Sequence, residues 1–415
     1  MRILFLTHAY PPYELGGLTL QCQETVERLR TRGHACHVLT SRYGLDDRAQ
    51  ADGYITRALH FQAHMEHYHP LDFFLSRPDK ERENKRILHE TIKRFGPDIV
   101  FVWGLWNLSR ALPYLAEQWM SAGRVAYAIA DYWPMEPDIH EAYWRLPARR
   151  PVVECAKALI RPVILRQLER DRRIHPLQFV HVMACSEHVA NKLISEGVLP
   201  HGARVIYNGI DPQPFLQTYR RDRPSRDLRL LYFGGLSNPK GVDIAIKALS
   251  IIKERDESDE LTLTLVGNGH PDYVEYLRQM VSDLHLSEQV IFKGYIPRTE
   301  IPILLSSFDV FLFTSIWEEP FGRTIIEAMA AGLAVIGSYV GGSREIMQDG
   351  ENALVYPPGD AVALADRILQ LKQSPELLQR LLKAGRQTVL ERFTLDRMVD
   401  EIEEWLHAIA TGETV

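Results

Sequence analysis

The stretch Val310–Gly337, VFLFTSIWEEPFGRTIIEAMAAGLAVIG, decides the fold. It opens on an apolar run, Val310–Thr314, and closes on another, Ala334–Gly337. Short runs this apolar are expected of parallel strands covered on both faces. Between them the chain turns at Pro320-Phe321-Gly322 and reads as helix through Thr324-Ile325-Ile326-Glu327-Ala328. A strand, a helix and a second strand form one βαβ unit, whose crossover is right-handed.

The same rhythm extends in both directions. Before the linker the strand candidates are Arg2–Thr7, Ala35–Thr40, Asp98–Trp103, Val125–Ala130, Val180–Ser186 and Arg204–Tyr207. After it they are Leu228–Phe233, Leu261–Val266, Val290–Lys293, Val310–Thr314, Ala334–Gly337 and Leu354–Tyr356. The first helix runs roughly from Thr19 to Arg32 and stops at Gly33. Three more helices are expected at 361–372, 376–391 and 395–410. The polar, Pro- and Arg-rich segment around 212–226 reads as a linker between a domain over 1–211 and a second over 227–394.

Composition agrees with two α/β domains. The 415 residues exceed one compact core. A net charge of −6 argues against a nucleic-acid partner. Cys22, Cys36, Cys155 and Cys185 have no paired CxxC spacing, so neither a zinc site nor a disulfide framework is indicated. The apolar N-terminus is too short and too broken by His8 and Pro11 for a signal peptide. No run approaches membrane-spanning length. A cytoplasmic location is expected, with a peripheral place at the inner face of the membrane as its variant.

Four constellations carry chemistry. The glycine turn Gly16-Gly17 follows the first strand and precedes a helix, where backbone can approach a phosphate or sugar. Phe233-Gly234-Gly235-Leu236-Ser237-Asn238-Pro239-Lys240-Gly241 places a lysine near a strand-to-helix turn, able to neutralise a diphosphate. In Trp317–Ala328, Glu319 and Glu327 flank amides from Phe321 through Gly322 and Arg323 to Thr324, a set suited to an anion. Carboxylates are poor phosphate partners but good acceptors for sugar hydroxyls. Gly341-Gly342 opens another helix. The blander alternatives are a tight turn at Gly16-Gly17, a solvated Lys240 and a surface Glu327. An unpaired carboxylate inside TIIEAMAAG would be costly, however. The GxGxxG fingerprint starting at Gly267-Asn268-Gly269 is incomplete, and no Asp-x-Asp pair or P-loop occurs.

With these residues the chain resembles family 4 of the retaining glycosyltransferases, which have the GT-B fold: two Rossmann-like doubly wound domains facing a central cleft. The resemblance is carried by Gly16-Gly17, Ser186, Asn208-Gly209-Ile210-Asp211, Lys240-Gly241, Gly267-Asn268-Gly269, the Glu319–Glu327 element and Gly341-Gly342. It implies transfer of a sugar from a nucleotide-diphosphate sugar to a glycan, a lipid-linked acceptor or a small molecule. It implies further that Lys240 touches the diphosphate, that Glu319 meets the transferred sugar and that Glu327 holds the ribose. Gly16, Gly17, Gly235, Gly267, Asn268 and the amides of Phe321, Gly322, Arg323 and Thr324 would complete the donor site. The catalytic set is then Lys240, Glu319 and Asp131, with no cofactor and no metal. The acceptor side falls to the N-terminal domain, and a last helix over 395–415 packs back on it.

Two positions depart from the family. Gly235 stands where an arginine usually meets the diphosphate, with Arg323 as a substitute. Ala130-Asp131 stands where His-Asp is usual, and Trp103 where a histidine is common. The alternatives are a GT-B nucleotide-sugar epimerase or hydrolase, or a catalytically weak sugar-nucleotide-binding protein. Two segments lie outside these motifs. His60, His64, His67 and His69 cluster in what reads as a polar loop rather than a metal site. Arg145–Arg173 holds nine Lys/Arg against three Asp/Glu among apolar residues. It is either an amphipathic helix packed on its domain or a surface for anionic lipid or a lipid-linked acceptor. Pro151 and Pro162 argue against one continuous helix there.

Overall fold

A computed structural model of the chain describes residues 1–13, 16–45, 50–65, 68–120, 123–148, 150–217, 228–255 and 261–413. Most of the expected linker (218–226) and His67 lie outside the described residues. The chain forms two compact units. The first comprises Met1–Cys185, Val189–Ile206 and Val399–Val415, and the second Ser186–His188 and Tyr207–Met398.

The first unit is built on eight strands: β1 (Arg2–Leu6), β2 (Ala35–Ser41), β3 (Gln50–Asp52), β4 (Ile55–Leu59), β5 (Ile99–Val102), β6 (Val125–Ile129), β7 (His181–Ala184) and β8 (Arg204–Val205). Their order is β3-β4-β2-β1-β5-β6-β7-β8. Every neighbouring pair is parallel except β3–β4. Residues Ile3 to Leu6 are fully buried, as a central strand between two helical layers demands. The antiparallel β3–β4 pair was not anticipated. Its signal was present, because Asp52-Gly53 is a hairpin dipeptide and Gly53 takes φ 53° there.

The second unit carries β9 (Leu228–Phe233), β10 (Leu261–Val266), β11 (Val290–Gly294), β12 (Val310–Phe313), β13 (Ala334–Ser338) and β14 (Leu354–Tyr356), in the order β11-β10-β9-β12-β13-β14. All five pairings are parallel. Its core interleaves sheet residues Leu230, Leu263, Leu312 and Ile336 with the helix Val242–Glu254. That helix buries Val242, Ala245, Ile246, Leu249 and Ile252, the i, i+3, i+4 spacing of one face. Each of the Val, Ile and Leu side chains among them contributes about 1.5–3 kcal/mol of burial.

Both sheets reverse direction once. In the first unit the order turns between β1 and β5, and in the second between β9 and β12. A ligand crevice forms outside the carboxyl ends of the strands at such a point, because the loops on its two sides diverge.

The segment 145–173 corrects an expectation. Pro151–Ile174 is one helix of 24 residues with Pro162 inside it. Pro151 occupies the first turn, where no N–H is needed. The carbonyl deprived of a partner by Pro162 belongs to Ala158, a residue on the exposed side of the helix.

Candidate active site

The direction reversal between β9 and β12 sets the site of the second unit. β9 leads into Phe233–Gly241, which ends in a 3-10 turn, Asn238–Lys240. β12 leads into Thr314–Gly322. The two segments are stitched together. Thr314 Oγ1 donates to the Lys240 carbonyl at 2.8 Å, and the Ile316 N–H to Pro239 O at 2.9 Å.

Across this seam Lys240 Nζ donates to Glu319 Oε1 at 2.5 Å, and Ser315 Oγ donates to the same oxygen at 2.7 Å. Glu319 is buried, and Lys240 keeps about a third of its side chain exposed. Its ammonium lies 5.8 Å from the Trp317 ring centroid. Lys240 is therefore not a solvated lysine. It is a cation with one face on a carboxylate and another toward solvent.

Glu327 is not a surface residue either, being 1% exposed on the helix Arg323–Ala330. Arg298 grips it with both terminal nitrogens, Nη1 to Oε2 at 2.8 Å and Nη2 to Oε1. Arg323 Nε adds a bond to Oε1 at 2.9 Å. Burial pushes the carboxyl upward, but Arg298 and then Arg323 override it and hold Glu327 below the usual glutamate value. Arg298 went unrecognised in the sequence. It sits in a 3-10 turn, Arg298–Glu300, outside any motif and 29 positions from its partner. Arg323 is turned onto Glu327 in this state.

The amides before this helix are presented by a backbone-to-backbone fit. The Gly342 N–H donates to Glu319 O at 2.7 Å, and Ser186 Oγ donates to Pro320 O at 2.6 Å. A Cβ on Gly342 would run into the Pro320 carbonyl, and one on Gly341 into Glu319. Gly322, at φ 106°, then turns the chain into the helix. Its first-turn N–H groups have no intrahelical acceptor and suit an anion. The Phe321 side chain is core, ringed by Tyr207 and Phe393, so only its backbone is available to a ligand. Thr324 is half-buried in the first turn.

Gly267-Asn268 runs beside the first loop, with the Leu236 N–H donating to Asn268 O at 2.8 Å. Gly267 meets Gly234 so closely that no Cβ fits. Gly235 is the opposite case. It is exposed and a Cβ there meets nothing, so no steric demand explains the missing arginine.

In the first unit, Gly16 (φ 89°) precedes the helix Gly17–Thr31, and its carbonyl accepts from Thr19 Oγ1 at 2.8 Å. Asp131 follows β6. Burial pushes its carboxyl up to about 6, against the pull of the Trp133 N–H at 3.2 Å and with a push from Glu136. His8 follows β1. Burial lowers its imidazole to about 4, opposed by the Gly104 backbone. Trp103 is buried, its Nε1 donating to Leu18 O at 3.2 Å. His60, His64 and His69 form no ligand group. Among the described residues the one group with metal-ligand spacing is His34, Glu403 and His407. There Glu403 is already engaged by Arg32 and His34.

This architecture, two α/β units each built on a mainly parallel sheet whose strand order reverses once, is that of the GT-B glycosyltransferases. The family described as Glycosyl transferases group 1 matches residues 218–388, and Glycosyltransferase Family 4 matches residues 15–214. The chain belongs to these group 1, family 4 glycosyltransferases and is a transferase enzyme. It is 24% identical to an uncharacterized glycosyltransferase of Methanocaldococcus jannaschii, over 97% of this chain and 96% of that one. It is 30% identical to N-acetyl-alpha-D-glucosaminyl L-malate synthase of Bacillus anthracis, over 48% of this chain and 52% of the relative. Among solved structures it resembles sucrose-phosphate synthase from Thermosynechococcus elongatus, with TM-score 0.74, 20% identity and full coverage of both chains. It also resembles Anabaena HepE in complex with UDP-glucose, with TM-score 0.70, 20% identity and coverage of 98% and 100%.

Proposed function

We propose that this glycosyltransferase takes its sugar from a nucleotide-diphosphate donor and transfers it with retention of anomeric configuration. The observation that carries the reading is the Lys240–Glu319–Ser315 cluster at the β9/β12 reversal, beside the open first turn of Arg323–Ala330. A diphosphate at those amides lies within the field of one cation that is only partly committed. The UDP-glucose bound by HepE supports the donor class.

In the reaction, the bond from the anomeric carbon to the diphosphate oxygen breaks and leaves an oxocarbenium-like sugar. Lys240 and the amides from Phe321 to Thr324 stabilise the departing charge. The acceptor hydroxyl attacks the same face and gives its proton to the leaving phosphate oxygen, so no protein nucleophile is needed. Glu319, freed from Lys240 as the diphosphate competes for it, accepts from hydroxyls of the transferred sugar. Glu327 keeps acceptor capacity on Oε2, which takes a single bond from Arg298, and we assign that capacity to the ribose. Asp131 is assigned to the acceptor side. No metal enters this scheme, and chelation is expected to leave turnover unchanged.

The test is product analysis over a panel of nucleotide sugars and acceptors. Glycosylated acceptor with the donor's anomeric configuration supports the reading. Free sugar alone would favour hydrolysis, and an inverted product would remove the same-face step.

A further inference from the structure

The helix Pro151–Ile174 is built inside out. Over its first 13 residues the exposed positions are Pro151, Val152, Val153, Cys155, Ala156, Ala158, Leu159, Ile160, Pro162 and Val163, none of them polar beyond a thiol. Val152 and Leu159 are more than 80% exposed, and Val163 is 66% exposed. The charged residues of this stretch turn inward instead. Lys157 is buried and donates to the Tyr143 and Leu146 carbonyls, each at 2.5 Å. Glu154 accepts from the Ala148 N–H and from Arg161. Below Val163 the same side of the helix changes character: Arg166, Arg170 and Arg173 are exposed, and the one acidic residue exposed among them, Glu169, pairs with Arg173, which leaves the turns net basic.

The helix is too polar overall to cross a membrane. The hydrophobic effect should fold such a surface inward, yet here only Lys157, Ile164 and Leu168 of the helix are buried. A contiguous apolar surface of this kind marks a contact site.

We propose that this helix docks the enzyme on a bilayer bearing anionic lipid. The apolar turns 151–163 enter the interface, and Arg166, Arg170 and Arg173 sit at headgroup level. Charge complementarity selects this occupant. A second copy or a protein groove would be served by the apolar tip alone, whereas a basic collar directly beneath it matches an anionic surface. This inference does not depend on the donor or on the stereochemistry of transfer.

Cys155 supplies the probe. It is the one exposed cysteine, inside the apolar turns, while Cys22, Cys36 and Cys185 are buried. The full-length protein, labelled there with an environment-sensitive fluorophore, is mixed with phosphatidylcholine vesicles with and without 30% phosphatidylglycerol, a composition of the anionic strength such contacts require. The expected result is co-sedimentation and a blue shift with the anionic vesicles only. Arg166→Gln/Arg170→Gln should lower partitioning roughly 30-fold, at about fivefold per charge. Leu159→Ser/Val163→Ser should lower it at least about tenfold. All four positions are surface, so melting temperatures should match the parent and certify the fold. Equal binding to neutral vesicles, or no blue shift at Cys155, overturns the proposal. So does a concentration-dependent dimer, seen by sedimentation, that Leu159→Ser/Val163→Ser dissolves while no vesicle is bound.

Discussion

Replacing Arg298 by methionine tests the electrostatic keystone of the second unit. Glu327, 1% exposed, receives three charge-assisted bonds, two of them from Arg298. Each such bond is worth about 1.5–3 kcal/mol, so the gross loss is roughly 3–6 kcal/mol. A third of the Arg298 side chain meets water, and screening reduces the expected loss to about 2–4 kcal/mol at pH 7. For a unit of this size that lowers the melting transition by roughly 5–15 °C. The pH dependence sharpens the test. In the parent, the depressed Glu327 value adds stability that is complete above the unfolded carboxyl range and is lost as pH falls through the folded value. In Arg298→Met, burial dominates and the folded value rises. The gap between the two proteins should therefore be widest near neutrality and narrow below about pH 4.5. Calorimetric unfolding from pH 4 to 8 reads both effects. A loss under about 0.5 kcal/mol at pH 7, or a gap indifferent to pH, would refute the reasoning. Arg298→Met/Glu327→Leu should recover much of the stability, because a buried ion pair is offset by its own desolvation.

Other outcomes are expected from the same geometry. Lys240→Met should weaken nucleoside diphosphate binding more than monophosphate binding in calorimetry; equal losses would take Lys240 off the outer phosphate. Glu319→Gln should spare affinity for the bare diphosphate and cut turnover at least about tenfold, since a neutral amide accepts weakly from sugar hydroxyls. Gly342→Ala should cost about 2–4 kcal/mol or displace the 319–322 backbone, because its Cβ meets the Pro320 carbonyl; a neutral effect would mean that this backing is loose. Asp131→Asn should stabilise the protein by up to about 3 kcal/mol at pH 8. That gain should fade between pH 6 and 4, since the folded carboxyl titrates near 6 and the unfolded one near 3.8. A gain that persists at pH 4 would contradict the burial assigned to it.

Much of this was legible because parallel strands advertise themselves locally. Leu228–Phe233, Leu261–Val266 and Leu354–Tyr356 were delimited to the residue, since an apolar run bounded by turns has little else to be. Lys240 and Glu319 drew attention for their places at two strand ends, and the β9–β12 pairing turns those places into an ion pair. What escaped notice was non-local or fought its propensity. Arg298 has no pattern of its own and acquires meaning only through a carboxylate packed on another helix. The 151–174 helix carries its proline on the exposed side, which no residue count reveals.

The first unit is assembled from the two extremes of the chain. Val399, Ile402, Trp405, Leu406 and Ile409, all buried, line one side of the helix Leu395–Thr411. Arg32 and His34 hold its Glu403, and Phe101 packs on Trp405. Synthesis therefore delivers the parts out of order. β1 to β8 are synthesised first, nearly all of the second unit (Tyr207–Met398) follows, and the buried face of residues 399–409 comes only after it. The greater part of the second unit is therefore made before the first unit has all of its parts.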